Sequence, residues 1–164
     1  MAAVKRGLRR AAGPARRPGC DPYATIVLMT RTVSTIDLAQ ARRIVDRGLE
    51  LAGADKGKPV VIAVSDHGGD LVAFARMDGA PLRSVRIAIN KAYTAARALA
   101  TTQELAARLR EAGRDVQVYG DPAFTLFPGG APVRSGAETV IGAVGISGRS
   151  AEDDQSLADR IATA

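Results

Sequence analysis

Residues Ala88–Ala96 read AINKAYTAA and set Lys91, Tyr93 and Thr94 among alanines, in a stretch without a helix breaker. An ammonium, a phenol and a hydroxyl among side chains this small are groups suited to binding a ligand or moving a proton. Lys91 and Arg76 suit the carboxylate of a small acid or the propionates of a tetrapyrrole. Thr94 lies three residues beyond Lys91 and four beyond Asn90, so a helix puts all three on one face. His67 is the single histidine of the chain. Beside Asp66 it has the chemistry of a general base, and its imidazole can ligate a haem iron. Gly129 and Gly130 can turn backbone N–H groups toward an anion. Each residue also has a plainer use. Lys91 can reach solvent along its stem, Tyr93 and Thr94 can satisfy backbone or subunit contacts, and Asp66, His67, Asp70, Asp78 and the glycines can simply make turns.

Composition removes several classes of function. One histidine and one cysteine, Cys20, leave no His-rich zinc site, disulfide framework or thiolate metal site. The chain has neither a Gly-rich loop ending in Gly-Lys-Ser/Thr nor a GxGxxG between strand and helix, so nucleotide binding is not expected. No apolar run approaches the length of a membrane span. The net charge of +6 is concentrated at the start: residues 1–28 carry Lys5, Arg6, Arg9, Arg10, Arg16 and Arg17 against Asp21 alone. Such a leader has the composition of a nucleic-acid or membrane arm, a transit peptide, or an upstream start read into the coding region. The last is favoured, because a well-formed domain opens at Met29. Its four-residue apolar run, Ile26–Met29, is too short for a secretory signal. The expectation is a cytoplasmic domain over 29–164, with a small-molecule ligand and no nucleic-acid or membrane partner. With no Trp and only three Phe and three Tyr, its core must be Ala, Val, Ile and Leu.

Positioning the polar groups falls to elements that the pattern predicts. Ser34 and Asp37 have capping-box spacing, and Leu38, Ala41, Ile44, Val45, Leu49 and Ala52 follow at helical intervals, which predicts a helix over 35–52. Val60–Val64 is apolar throughout, the pattern of a strand covered on both faces. The four residues His67–Asp70 separate it from Leu71–Ala75, so an antiparallel hairpin is expected. An alanine-rich helix is expected over 84–100, and a second capping box, Thr101 to Glu104, opens a shorter one ending near Ala112. Residues 113–130 read as loop. Ala131–Arg134 and Val140–Ser147 predict a second hairpin, with Gly142 and Gly145 marking a bulge or close backbone approach. Ser150–Asp153 opens a closing helix that ends near Ala162. This order of elements predicts an α/β three-layer sandwich on an antiparallel sheet.

Together, Val64–Phe74, Arg76–Ala80, Ala88–Ala95, Pro128–Val133 and Ile141–Gly148, with Asp154 and Ala158 beyond, resemble the GlcG/HbpS-like family. That family is described as haem-degrading or haem-binding and is related to the C-terminal domain of PduO-type corrinoid proteins. The resemblance runs from Val33 to Ala162 and leaves the leader outside. It implies a profilin-like α/β/α fold on a five-stranded antiparallel sheet and a homo-oligomer, often an octamer. It also implies a pocket at Arg76, Lys91, Thr94 and Gly129-Gly130. The implied function is binding of haem or a related tetrapyrrole, and otherwise no cofactor. Arg76 and Lys91 would hold the propionates, with His67 or Tyr93 at the iron. Two other functions use the same residues. One is a cofactor-independent enzyme acting on a small hydroxy- or oxo-acid, with Lys91 on the carboxylate, Asp66 or His67 moving a proton and glycine N–H groups stabilising an enolate. The other is a non-catalytic structural subunit assembled through the alanine-rich helix.

Overall fold

The computed structural model describes residues 32–136 and 138–163. The 1–28 leader, Cys20 and the domain start at Met29 lie outside the described residues. Helix α1 (Leu38–Ala54) precedes a hairpin of β1 (Val61–Asp66) and β2 (Leu71–Arg76). Helices α2 (Arg83–Ala98) and α3 (Thr102–Glu111) follow, then a 3-10 turn at Val116–Tyr119, the hairpin of β3 (Gly130–Ser135) and β4 (Thr139–Ser147), and α4 (Ala151–Ala162). The strands form one antiparallel sheet in the order β2-β1-β4-β3. β1 and β4 lie in the middle, and five of the six β1 residues are buried, as the uninterrupted apolar run requires.

Side chains along β1 alternate between two cores. Val60, Ile62 and Val64 join Val144 and Ile146 against Ala41, Val45 and Ala52 of α1 and Leu157, Ala158 and Ile161 of α4. Val61 and Ala63 face Ala88 and Ala92 of α2. The second contact is close. A Cβ on Gly145 would meet the Ala88 carbonyl oxygen and the Ala92 nitrogen, and one on Gly142 would meet the Ser65 carbonyl oxygen. Both glycines therefore mark close backbone approach, and the small residues of α2 are what let it lie against the sheet.

Two expectations are corrected. The sheet has four strands among the described residues rather than five. The segment between α3 and β3, read as loop, carries Gly113, Gly120, Pro122 and Pro128 and holds a single 3-10 turn, so it adds no strand to the sheet. Helix α1 also starts three residues later than the Ser34 capping box predicts. Asp37 is its N-cap: its carboxylate accepts from Gln40 N at 2.7 Å, while Gln40 Oε1 accepts from Asp37 N at 3.1 Å. Tertiary contact moves the start, because buried Ile36 lies outside the helix and donates its N–H to the Ile141 carbonyl at 2.8 Å. Replacing Asp37 with Ala is expected to destabilise the domain by about 1 kcal/mol in urea unfolding. Ser34→Ala should leave the midpoint unchanged. Among the described residues, no helix is long and apolar enough to cross a membrane.

Candidate functional site

Successive helix positions are about 100° apart, so Lys91 and Tyr93 leave α2 on opposite sides. The polar trio does not converge. Lys91 points toward β4 and α4 and is 3% exposed. Its Nζ donates to the Ile146 carbonyl at 2.7 Å and to Asp154 Oδ2 at 2.9 Å. The other Asp154 oxygen accepts from Arg149 N at 3.0 Å. Burial pushes the Lys91 ammonium below its ordinary pKa, and the charge of Asp154 opposes that shift. Thr94 is fully buried, and its hydroxyl accepts from Thr125 N at 3.0 Å, which pins the loop before β3.

Gly129 and Gly130 lie over the same region, with their amides engaged inside the protein. Gly129 N donates to Gln155 Oε1 at 2.7 Å, and Gly130 N donates to Thr102 Oγ1 at 3.0 Å. Gly129 has φ of +120°, and a Cβ there would strike Lys91 Nζ and the Ile146 carbonyl oxygen. The glycine is what lets the loop close over the ammonium.

A cleft of about 200 Å³ opens beside Lys91, between Pro81 and the first turns of α2, Phe127-Pro128 and Ser147–Arg149. Arg149 is committed elsewhere. It forms two bonds to Asp55, at 2.6 and 2.9 Å, and donates to the carbonyls of Ala52 and Lys58. That guanidinium and the Gly57 N–H hold the Asp55 carboxyl below the usual carboxylate range.

The second cluster sits at the opposite end of β1, five residues and roughly 17 Å along the strand. Asp66 Oδ1 accepts from Gly68 N at 2.8 Å and Asp70 N at 2.9 Å, so it orders the β1–β2 turn. His67 is exposed on that turn. Gly69, with φ of +94°, packs against the Tyr93 ring, and Arg97 Nε donates to the Gly68 carbonyl at 2.9 Å. Arg97 also lies 4.7 Å from the centre of the Tyr93 ring. Phe124 meets Tyr93 edge-on at 5.7 Å and stacks on Tyr119 at 4.5 Å. The Tyr93 hydroxyl donates to Asp121 Oδ2 at 2.5 Å, a bond that pushes the phenol above its ordinary pKa and holds the Asp121 carboxyl down. Arg76 ends β2 opposite Val61, exposed and at the far end of the hairpin from His67.

The structure thus sets Tyr93 against the turn that carries His67, and Lys91 beside Gly129 and Gly130. Arg76 lies at the far end of the hairpin from His67 and does not line the Lys91 cleft. Ser84 and Ser147 line the same cleft, one at a helix start suited to an anion and the other in the polar run Ser147–Ser150 that the sequence already marks. Gln155 and Thr102, which accept from Gly129 N and Gly130 N, carry no site signal in the sequence, since Thr102 reads as part of a capping segment and Gln155 as one polar residue of a helix. Among the described residues, no group of three or more His, Cys, Asp and Glu side chains is placed to hold a metal ion.

Residues 36–163 match the family model described as haem degrading protein HbpS-like. The chain belongs to this family. A relative from Citrobacter freundii, an uncharacterized 15.0 kDa protein in the dhaT-dhaS intergenic region, is 35% identical over 132 residues, covering 79% of this chain and 92% of its own. Among solved structures, a double mutant of Streptomyces reticuli HbpS matches with a TM-score of 0.74 and 29% identity, over 89% of this chain and 97% of its own. The PduOC:heme complex matches with a TM-score of 0.69 and 26% identity, over 79% of this chain and 94% of its own. In this HbpS-like domain both polar clusters fall within the matched residues.

Proposed function

We propose that this HbpS-like chain binds haem or a closely related tetrapyrrole at the His67 end of the domain, as a cytoplasmic homo-oligomer. The observation that carries the reading is the exposed imidazole on an ordered turn beside Arg97 and the Tyr93–Phe124–Tyr119 aromatics. A tetrapyrrole needs a nitrogen ligand for its iron, an apolar or aromatic surface for its plane and a cation for its propionates. These residues are of those three types. Family membership and the likeness to a protein solved with haem support the same reading.

Within this reading His67 is the iron ligand, because the Tyr93 hydroxyl is committed to Asp121. Arg97 takes the propionate role expected of Arg76 and Lys91. Arg76 sits at the distant end of β2, and Lys91 is already neutralised by Asp154. The Lys91 cleft, about 200 Å³, falls below the roughly 300–1,000 Å³ usual for larger ligands. The distance between Lys91 and the Asp66–His67 pair counts against one acid-transforming site built from all three. The finer fold reading is the profilin-like three-layer arrangement, supported by helices packed on both faces of the sheet. Exposed Leu82, Leu99 and Phe127 support self-association, and the single cysteine suits a reducing compartment.

Haemin titration of the full chain tests the proposal. A saturable, shifted Soret band is expected, lost in His67→Ala and weakened in Arg97→Ala. Absence of a specific band at micromolar haemin, or an unchanged band in His67→Ala, overturns it. Degradation of the bound haem, named in the family description, extends the reading, and decay of the band under reductant and oxygen is its readout.

A further inference from the structure

The cleft beside Lys91 holds two buried hydroxyls. Ser84, 3% exposed, lies in the first turn of α2, and Ser147, 5% exposed, ends β4; both line the cleft. Neither Oγ takes part in a hydrogen bond among the described residues, and no fully sealed side-chain polar atom is left without a partner. Each hydroxyl therefore keeps access to the cleft. A hydroxyl that opens only onto the cleft is free to bond a ligand there.

The charges around the cleft select the ligand's sign. Asp154 neutralises Lys91 and Asp55 neutralises Arg149, which leaves exposed Arg83 as the unbalanced charge among the lining residues. The N-terminus of α2 has no side-chain cap and no acid in its first turn, so its positive end is uncompensated. Lys91 keeps one ammonium proton beyond the two it has engaged. Pro81, Ile87, Phe127 and Pro128 supply an apolar wall.

We propose that this cleft binds a small monocarboxylic acid, its carboxylate on the Ser84 and Ser147 hydroxyls and Arg83, and its hydrocarbon body against Ile87 and Phe127. The carboxylate stands where α2 lacks a cap. Size follows from the volume of about 200 Å³. An apolar cavity of about 150 Å³ takes up benzene, so benzoate or a short acid such as butanoate fits and a tetrapyrrole does not. The site is separate from the His67 turn and does not depend on haem.

Calorimetric titration of the full chain with benzoate and butanoate, beside benzyl alcohol and butan-1-ol as uncharged counterparts, decides the matter. At least one acid is expected to bind saturably and neither alcohol to do so. Ser84→Ala and Ser147→Ala should each weaken binding roughly tenfold, with a similar loss in Arg83→Met. Because the two hydroxyls have no partner among the described residues, the serine variants should melt where the wild type does. Should either fail to fold, Arg83→Met, on an exposed side chain, carries the test. No binding of either acid at millimolar concentration, equal binding of an alcohol, or acid binding that no folded variant weakens overturns the proposal. Haemin affinity is expected to be unchanged in the serine variants, so this site and the tetrapyrrole reading fail separately.

Discussion

Asp154→Ala is expected to destabilise the domain by about 3–5 kcal/mol, the largest loss from any single polar side chain here. Asp154 and Lys91 are both nearly excluded from water at 2.9 Å. Removing the carboxylate leaves an ammonium with one backbone carbonyl as its partner and orphans the Arg149 N–H. The double change Lys91→Met with Asp154→Leu should recover most of the loss, since well-packed apolar groups replace a buried pair at little cost. Urea unfolding of both variants measures the difference. A loss in Asp154→Ala within about 1 kcal/mol, the range of an exposed pair, would show that water reaches the ammonium.

The same pair has a pH signature. The Lys91 pKa lies below the 10.5 of the unfolded chain. Between the two values the unfolded state binds more protons, so this group makes stability rise with pH in that window. Tyr93 acts in the opposite sense. Its pKa is raised above 10.0, so its bond to Asp121 contributes fully below 10.0 and is lost as pH climbs through the folded value. Lys91→Met should remove the rise and leave the alkaline fall.

Gly145→Ala is expected to cost at least about 3 kcal/mol. The new methyl group would land on the Ala88 carbonyl oxygen and 2.5 Å from the Ala92 nitrogen. Both are backbone atoms, so no rotamer change relieves the overlap. α2 would have to lift from the sheet, opening the contact of Val61 and Ala63 with Ala88 and Ala92 and disturbing the setting of Lys91. Gly53→Ala is the control. It lies on α1 with nothing within 4 Å of its added Cβ, and should stabilise by about 0.5–1 kcal/mol. Equal effects at the two positions would show that α2 does not depend on close approach.

The elements were legible where local chemistry is self-sufficient. Thr101 and Glu104 form the capping box that their spacing predicts, Ser150 caps α4 through Asp153 N, and the apolar run at Val60–Val64 became a central strand. Legibility failed where a tertiary contact overrode a local signal. The spacing reads Ser34 as the cap and Asp37 as its N3 partner, but the burial of Ile36 keeps the chain out of the helix there and makes Asp37 itself the cap. The strand count came from family resemblance alone, with no local pattern behind the fifth strand, and four strands pair among the described residues.

The site divides along the same line. Residue types and helical spacing on their own established that Lys91, Tyr93 and Thr94 would share one long helix among small residues, that His67 would sit on a hairpin turn, and that Gly142 and Gly145 would mark either close backbone approach or a bulge. Only the tertiary structure decided what each of them meets. Asp154 is 63 residues from Lys91, Ile146 is 55 residues away, and Asp121 is 28 residues from Tyr93. Such partners depend on how the two hairpins and α4 pack around α2, and periodicity along the chain encodes which face of an element is buried but not which distant polar group will be waiting there.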